Sequence, residues 1–188
     1  MKKISQPISN AFCPQGLYLY GTYTADSKPN YGLFCWATYC HSNGFRFVAC
    51  IGEDKLTRDR IRETGVFSAS ILTEALLPAA DWCGTHAGYE HDKSSIIPSE
   101  CGSVLHVPIP CESVWSFELK VEQILTPSEG SDIYICRIEQ LTADARLSAP
   151  TLSFEEKLKL VSPVVTMDQR YLPVAPHSLG EWGSLANF

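Results

Sequence analysis

The sequence predicts a mainly β chain, a small barrel with short inserted helices, and three observations carry that expectation. Seven short runs show strand-like alternation or β-branched and aromatic enrichment, most of them bounded by Gly, Pro, Asn, Asp or Ser. Helix patterns fall after the third and fourth of these runs, not after every one, which argues against a doubly wound α/β sheet. The 188 residues, 45% of them apolar, suit one domain with a real core. Periodicity alone leaves a sandwich open.

Cys13-Pro14-Gln15-Gly16 forms a turn, and Leu17 to Tyr23 is aromatic and β-branched, a first strand. Asp26-Ser27-Lys28-Pro29-Asn30 turns the chain back into a second strand, Tyr31 to Cys40. The third, Arg46 to Gly52, follows His41-Ser42-Asn43-Gly44, where Asn43-Gly44 supplies the positive φ of a tight hairpin turn. Thr57 to Thr64 reads as a short helix with Thr57 as N-cap and Gly65 as its stop. Val66 to Leu72 alternates as the fourth strand. A helix then starts at Thr73-Glu74 and is interrupted by Pro78, and Cys83 to Gly88 is a glycine-punctuated loop. Val104 to Val107, Ser113 to Ile124 and Asp132 to Leu141 complete the strands, with Ile133, Ile135 and Ile138 expected on the inner side of the last. Phe154 to Leu160 fits one helix. A single domain over residues 1–188 is expected, with an irregular tail from about residue 162.

Composition excludes several classes. Charged residues are 19%, an ordinary globular balance, so wholesale disorder is not expected. The net charge of −6 disfavours a generic nucleic-acid surface, and the densest basic cluster is only Arg58, Arg60 and Arg62. No apolar stretch approaches the ~20 residues that span a bilayer. The N-terminal lysines lack a following apolar run, so a soluble, cytoplasmic protein is expected. The eight cysteines contain no C-x-x-C and mostly lie in apolar runs, which predicts reduced, mostly buried thiols.

The chain is organised around Asn30 to Thr57, two strands ending in a short loop that opens a helix. A helix start presents unpaired N–H groups and a positive dipole end, so this corner is a candidate phosphate site. Cys83 and His86, with His91 following, resemble half of a metal site or a thiol–imidazole pair, but no second ligand pair has comparable spacing. His41 falls in the hairpin turn and is expected to face solvent. Paired acid/base carboxylates, G-x-S-x-G, and Walker or Rossmann glycine patterns are missing from the sequence.

Several landmarks together resemble the flavoredoxin-like branch of the flavin reductase family. They are Cys13-Pro14-Gln15, Gly21-Thr22-Tyr23, Lys28-Pro29-Asn30, Trp36, Ile61 to Phe67, Ala80-Asp81-Trp82-Cys83-Gly84, Gly88 and Asp92-Lys93, in family order from about residue 11 to 95. Beyond Ser103 only the strand pattern is compatible. The resemblance implies a Greek-key split β-barrel that binds FMN as a homodimer. By position it implies FMN along Cys35, Trp36, Ala37 and Thr38, beside Cys50, Ile51 and Gly52. Its phosphate would lie at Lys55, Leu56 and Thr57, with Lys93 reaching in. It explains Cys83-Gly84 as a turn, with no metal.

The implied activity is hydride or electron transfer between NAD(P)H, FMN and an acceptor, with no catalytic side chain assigned. A non-enzymatic FMN electron carrier served by a redox partner protein, and a flavin-free barrel serving as a binding module, are the alternatives. The chain departs from the family at Glu53-Asp54, where small or basic residues are usual. Two carboxylates there would oppose a phosphate by about 1 kcal/mol each when solvated. Tyr171 and Leu179-Gly180 only approximate the family's ending. Without the resemblance, Thr57 is an ordinary helix cap, Trp36 is barrel core, and Lys93 forms a solvated pair with Asp92.

Overall fold

The computed structural model describes residues 2–41 and 44–186. In chain order it runs β1 (Gln15–Gly16), β2 (Tyr18–Tyr23), β3 (Pro29–Phe34), β4 (Ala37–His41), β5 (Phe45–Gly52), α1 (Leu56–Thr64), β6 (Val66–Ile71) and α2 (Leu77–Thr85). It continues with β7 (Ser99–Cys101), β8 (Pro108–Pro110), β9 (Trp115–Ser128), β10 (Ser131–Ala143), α3 (Phe154–Val161), β11 (Val164–Met167) and β12 (Arg170–Pro173). Antiparallel pairing builds a seven-stranded sheet in the order β3-β2-β6-β9-β10-β5-β4, beside two small sheets, β1-β11-β12 and β7-β8.

The outer strands of the large sheet, β3 and β4, are consecutive in sequence and joined only by Cys35 and Trp36. The sheet therefore rolls up, and its edges meet through the chain itself and not through a ladder. The expected strand Tyr31 to Cys40 is broken here. Ala37 N donates to Cys35 O at 3.0 Å and Cys50 N to Trp36 O at 2.8 Å, a tight bend that re-aims the strand. Residues from both edges enclose one aromatic core: Phe34 of β3 packs with Tyr20, Phe47, Phe67 and Phe117, and Ala37 of β4 closes against them. Tyr20 stacks on Phe34 with ring centroids 4.6 Å apart. Such pairs stabilise the barrel beyond the apolar area that they bury. A second cluster joins Leu19 and Tyr31, on the other face, to Leu76, Ala80 and Cys83 beside α2.

Several expectations are corrected. The Asn43 half of the hairpin turn lies outside the described residues, although β4 and β5 pair from Ala37↔Ala49 to His41↔Phe45 as an antiparallel hairpin. In β10 the fully buried residues are Asp132, Tyr134 and Cys136, whereas Ile133 and Ile135 are half-buried on the opposite face; Ile138, also half-buried, packs against the aromatic core. Alternation marked two faces, but both are covered, and polarity did not decide which was inner. Val104 to Val107 is a loop, because Ser103, Val104 and Leu105 give their backbone N–H groups to the buried Glu118 carboxylate instead of to a ladder.

Pro78 sits in the first turn of α2, where its missing N–H costs nothing, so it starts the helix and does not interrupt it. That helix runs on through Cys83 and Gly84, the expected turn. β11 and β12 occupy part of the stretch expected to be irregular, and β11 pairs with β1. Only Cys83 and Cys136 are buried; Cys13, Cys40, Cys101 and Cys111 are exposed. No helix among the described residues is long and apolar enough to cross a membrane.

Candidate functional site

The helix α1 is anchored along one side by its arginines, while the backbone at its start is open. Arg58 Nε and Arg62 Nε donate to Asp132 Oδ2 at 2.8 and 2.6 Å, and Thr126 and Tyr134 hydroxyls bind the same carboxylate. These charge-assisted bonds hold the Asp132 carboxyl well below the usual carboxylate range despite complete burial. Arg60 is likewise spent, on Tyr23 O and Glu63. The densest basic cluster of the sequence thus fixes α1 to the barrel and leaves little charge for a ligand.

At the start of α1 the N-cap is Lys55, extended and with no side-chain capping bond. Thr57 lies inside the first turn, which corrects its assignment as cap. Its buried hydroxyl accepts from Asn30 Nδ2 at 3.1 Å, and that amide also donates to Thr22 Oγ1 at 3.2 Å. A threonine whose oxygen is held from behind keeps its own O–H to donate forward. The first helical bond runs from Asp59 N to Lys55 O, so the N–H groups of Leu56, Thr57 and Arg58 have no partner within the helix.

A cavity of about 290 Å³ opens on this start, and Lys55, Leu56, Thr57 and Lys93 all line it. Lys93 is 6% exposed and donates to Tyr31 O at 3.0 Å and Cys83 O at 2.7 Å. Burial lowers its pKa. The solvated Asp92–Lys93 pair is overturned: Asp92 pairs with Lys28 at 2.7 Å, and no carboxylate among the described residues lies within ion-pair distance of the Lys93 ammonium. An ammonium has three donors, and two are used. Gly88 closes one wall, since a Cβ there would stand 2.7 Å from Asn30 Oδ1 and 3.1 Å from Leu56.

Cys35, Trp36, Ala37, Thr38 and Cys50 line a second cavity of about 360 Å³ with Ile133. Its lining begins at Cys35, the residue after Phe34, which lines the first cavity. Trp36 is 55% exposed and so is not barrel core. Ile51 is buried in the aromatic core, with its side chain turned from both cavities, and Gly52 lines neither. These two can offer only backbone. The acidic corner stays at the first cavity, which Glu53 and Asp54 also line: the Asp54 side chain is exposed to solvent, and Glu53, in the left-handed region at φ 67°, takes the Lys55 ammonium at 3.1 Å. His41 is exposed at the end of β4.

The Cys83 thiol is pushed up to about 11 by burial, which does not suit a nucleophile. His86 lines the first cavity, its ring stacked on Trp82 at 4.2 Å and its Nδ1–H donating to Trp82 O at 2.9 Å. Among the described residues no three His, Cys, Asp or Glu side chains gather to hold a metal. Asn30 and His86 were not singled out for the site from the sequence. No local pattern reveals an amide that acts on a hydroxyl 27 positions away.

The model of the flavin reductase like domain matches residues 10–166. The chain belongs to this family. Among solved structures, flavoredoxin of Desulfovibrio vulgaris (Miyazaki F) is 26% identical with a TM-score of 0.86, covering 100% of both chains. Flavoredoxin from Methanosarcina acetivorans has the same TM-score at 19% identity, covering 98% of this chain and 97% of that one. The FMN-binding protein from Thermus thermophilus, with bound p-hydroxybenzaldehyde, follows at 0.77 and 18%, covering 96% and 98%. No curated protein matches the chain. The fold is thus the mainly β split barrel of flavin reductase-like proteins, and the role is a flavin-related redox one.

Proposed function

We propose that the chain binds FMN and passes hydride or electrons between a reduced nicotinamide, the flavin and an acceptor. The observation that carries this reading is the uncapped start of α1 facing the desolvated Lys93 ammonium across one cavity. Backbone N–H groups, a free hydroxyl and a cation lacking a carboxylate fit a phosphate dianion better than any neutral group. The N–H groups of Leu56 and Thr57, the Thr57 hydroxyl, Lys55 and the third Lys93 donor would hold the phosphate. The ring would lie along Cys35 to Thr38, with the backbone of Cys50, Ile51 and Gly52 beside it. FMN, when bound, supplies the redox chemistry, and the chain binds it, orients it and limits access to it. Trp36, exposed at the mouth of the ring cavity, fits a homodimer in which a second protomer covers that side. The whole chain would act as one domain, in the cytoplasm.

Replacing Lys55 and Thr57 together by Ala tests the phosphate assignment. FMN affinity, read by quenching of flavin fluorescence, should fall more than tenfold, since charge-assisted bonds are worth about 1.5–3 kcal/mol each. Unchanged affinity removes the assignment. A carrier that never meets NAD(P)H is the second reading, favoured by the end-to-end likeness to two flavoredoxins. Stopped-flow mixing decides between them. Flavin bleached by NADH or NADPH within one turnover supports the enzyme; bleaching only by a reduced ferredoxin-type protein supports the carrier.

A further inference from the structure

Away from both cavities, two reactive side chains of the segment that joins β7 to β8 meet a phenol from β2. Cys101, the last residue of β7, is exposed, and its Sγ shares a hydrogen bond with His106 Nδ1 at 3.6 Å. The His106 ring stacks on Tyr23, at the end of β2, with centroids 4.4 Å apart and planes 20° from parallel. Burial, and after it the nearby Cys101 sulfur, push the Tyr23 phenol up to about 12. The sulfur therefore lies beside an imidazole nitrogen, and the imidazole ring is stacked on a third group. A nucleophile, a base and a residue that orients the base form a recognisable functional arrangement.

The loop bearing His106 is fixed as well. Gly102 N donates to Val107 O at 2.8 Å, and the N–H groups of Ser103 and Val104 donate to the buried Glu118 carboxylate at 2.8 and 2.9 Å. A carboxylate bound by several backbone donors is a strong tether. The other exposed thiols, Cys13, Cys40 and Cys111, have no imidazole partner among the described residues. They serve as controls within the same molecule.

We propose that Cys101 is a thiol–disulfide exchange site, which takes a small-molecule disulfide to form a mixed disulfide with His106 as the base. The Cys101 thiol gives its proton to His106 Nδ1, and the thiolate attacks one sulfur of the disulfide. A new S–S bond to Cys101 forms as the reagent's S–S bond breaks. The departing thiolate takes the proton back from His106 and leaves as a free thiol. One disulfide is consumed and one formed, so no further oxidant is needed. A second small thiol reverses the step.

Oxidised glutathione is the probe. The full chain is mixed with it in excess, quenched in acid at intervals and mapped by peptide mass spectrometry. Cys101 should gain the glutathionyl group at least fivefold faster than Cys13, Cys40 or Cys111; equal or faster modification at any of the three overturns the proposal. His106→Phe keeps a ring to stack on Tyr23 and removes the nitrogen. Its rate at Cys101 should fall at least fivefold and recover in part when imidazole is added. A rate that does not fall, or a fall that imidazole leaves untouched, overturns the role of His106. Should that variant fail to fold, the comparison of the four thiols in the unaltered chain still decides the assignment of Cys101.

Discussion

Replacing Asp132 by Asn should loosen the barrel's grip on α1, and its size can be worked out. The fully buried carboxylate accepts from Arg58 Nε, from Arg62 Nε and Nη2, and from the hydroxyls of Thr126 and Tyr134. An amide keeps one acceptor oxygen but points an N–H₂ at guanidinium donors. Removing one partner of a buried ion pair costs about 3–5 kcal/mol. Here the lower figure applies, because the Arg58 and Arg62 side chains are 14% and 41% exposed and can turn to water. A loss of about 3 kcal/mol corresponds to a fall in Tm of roughly 6–12 °C for a chain of this length.

Asp132 is depressed in the folded state, so its contribution is present above the unfolded value of about 3.9 and is lost as pH falls through the folded value. Between pH 7 and pH 3 the unaltered chain should lose about 1.3 kcal/mol from this group alone, which the Asn variant cannot lose. Urea unfolding at the two pH values, followed by tryptophan fluorescence, reads both quantities. A difference below about 1 kcal/mol at pH 7 would refute the anchoring role. A difference that stays constant down to pH 3 would refute the attribution to the carboxylate's charge.

Two further outcomes follow from single groups. The Tyr20 hydroxyl is buried without a hydrogen-bond partner, so Tyr20→Phe should raise stability by about 1 kcal/mol in the same urea assay, and a loss would mean that the hydroxyl is bonded. Glu53→Gly removes the carboxylate that holds Lys55 and suits the positive φ at this position, so FMN should bind about two- to fivefold tighter by fluorescence titration. Unchanged or weaker binding would show that Glu53 does not compete for Lys55.

Local patterns fixed the strands and the place of the candidate phosphate corner, while long-range contacts decided the roles within it. Gly65 ends α1 as its left-handed conformation requires, with φ 71° and its N–H on Ile61 O. Thr57 was misplaced as a cap because capping rules see only neighbours in sequence, whereas its oxygen is bound by Asn30 from β3. The alternative reading of Lys93 as a solvated partner of Asp92 also sees only sequence neighbours, whereas Lys28, 64 positions away from Asp92, takes that carboxylate. Ile133 and Ile135 of β10 look like core in the sequence, yet Asp132, Tyr134 and Cys136 are the buried residues, with Asp132 bound by Arg58 and Arg62 of α1 and by the Tyr134 hydroxyl. In each case a polar side chain found a partner from another element, and composition alone does not say which.

The break at Cys35 and Trp36 unites the fold with the candidate site. A rolled sheet that closed by hydrogen bonds would pair every N–H and C=O along β3 and β4, leaving nothing there for a planar polar ligand. Here the two edges are joined by a bend instead, so β3 and β4 each keep one flank outside the sheet's ladders. Open edges are a liability, because they template pairing with other chains. They are also rows of fixed donors and acceptors, and one of them borders the cavity that Trp36, Ala37 and Thr38 line. The bend that costs the barrel a set of ladder bonds thus supplies backbone groups next to an apolar wall. It does so one residue from the cavity where Lys93 and the open start of α1 supply positive charge. An elongated ligand with a polar ring at one end and an anion at the other fits that sequence of surfaces, and a compact anion would use only half of it.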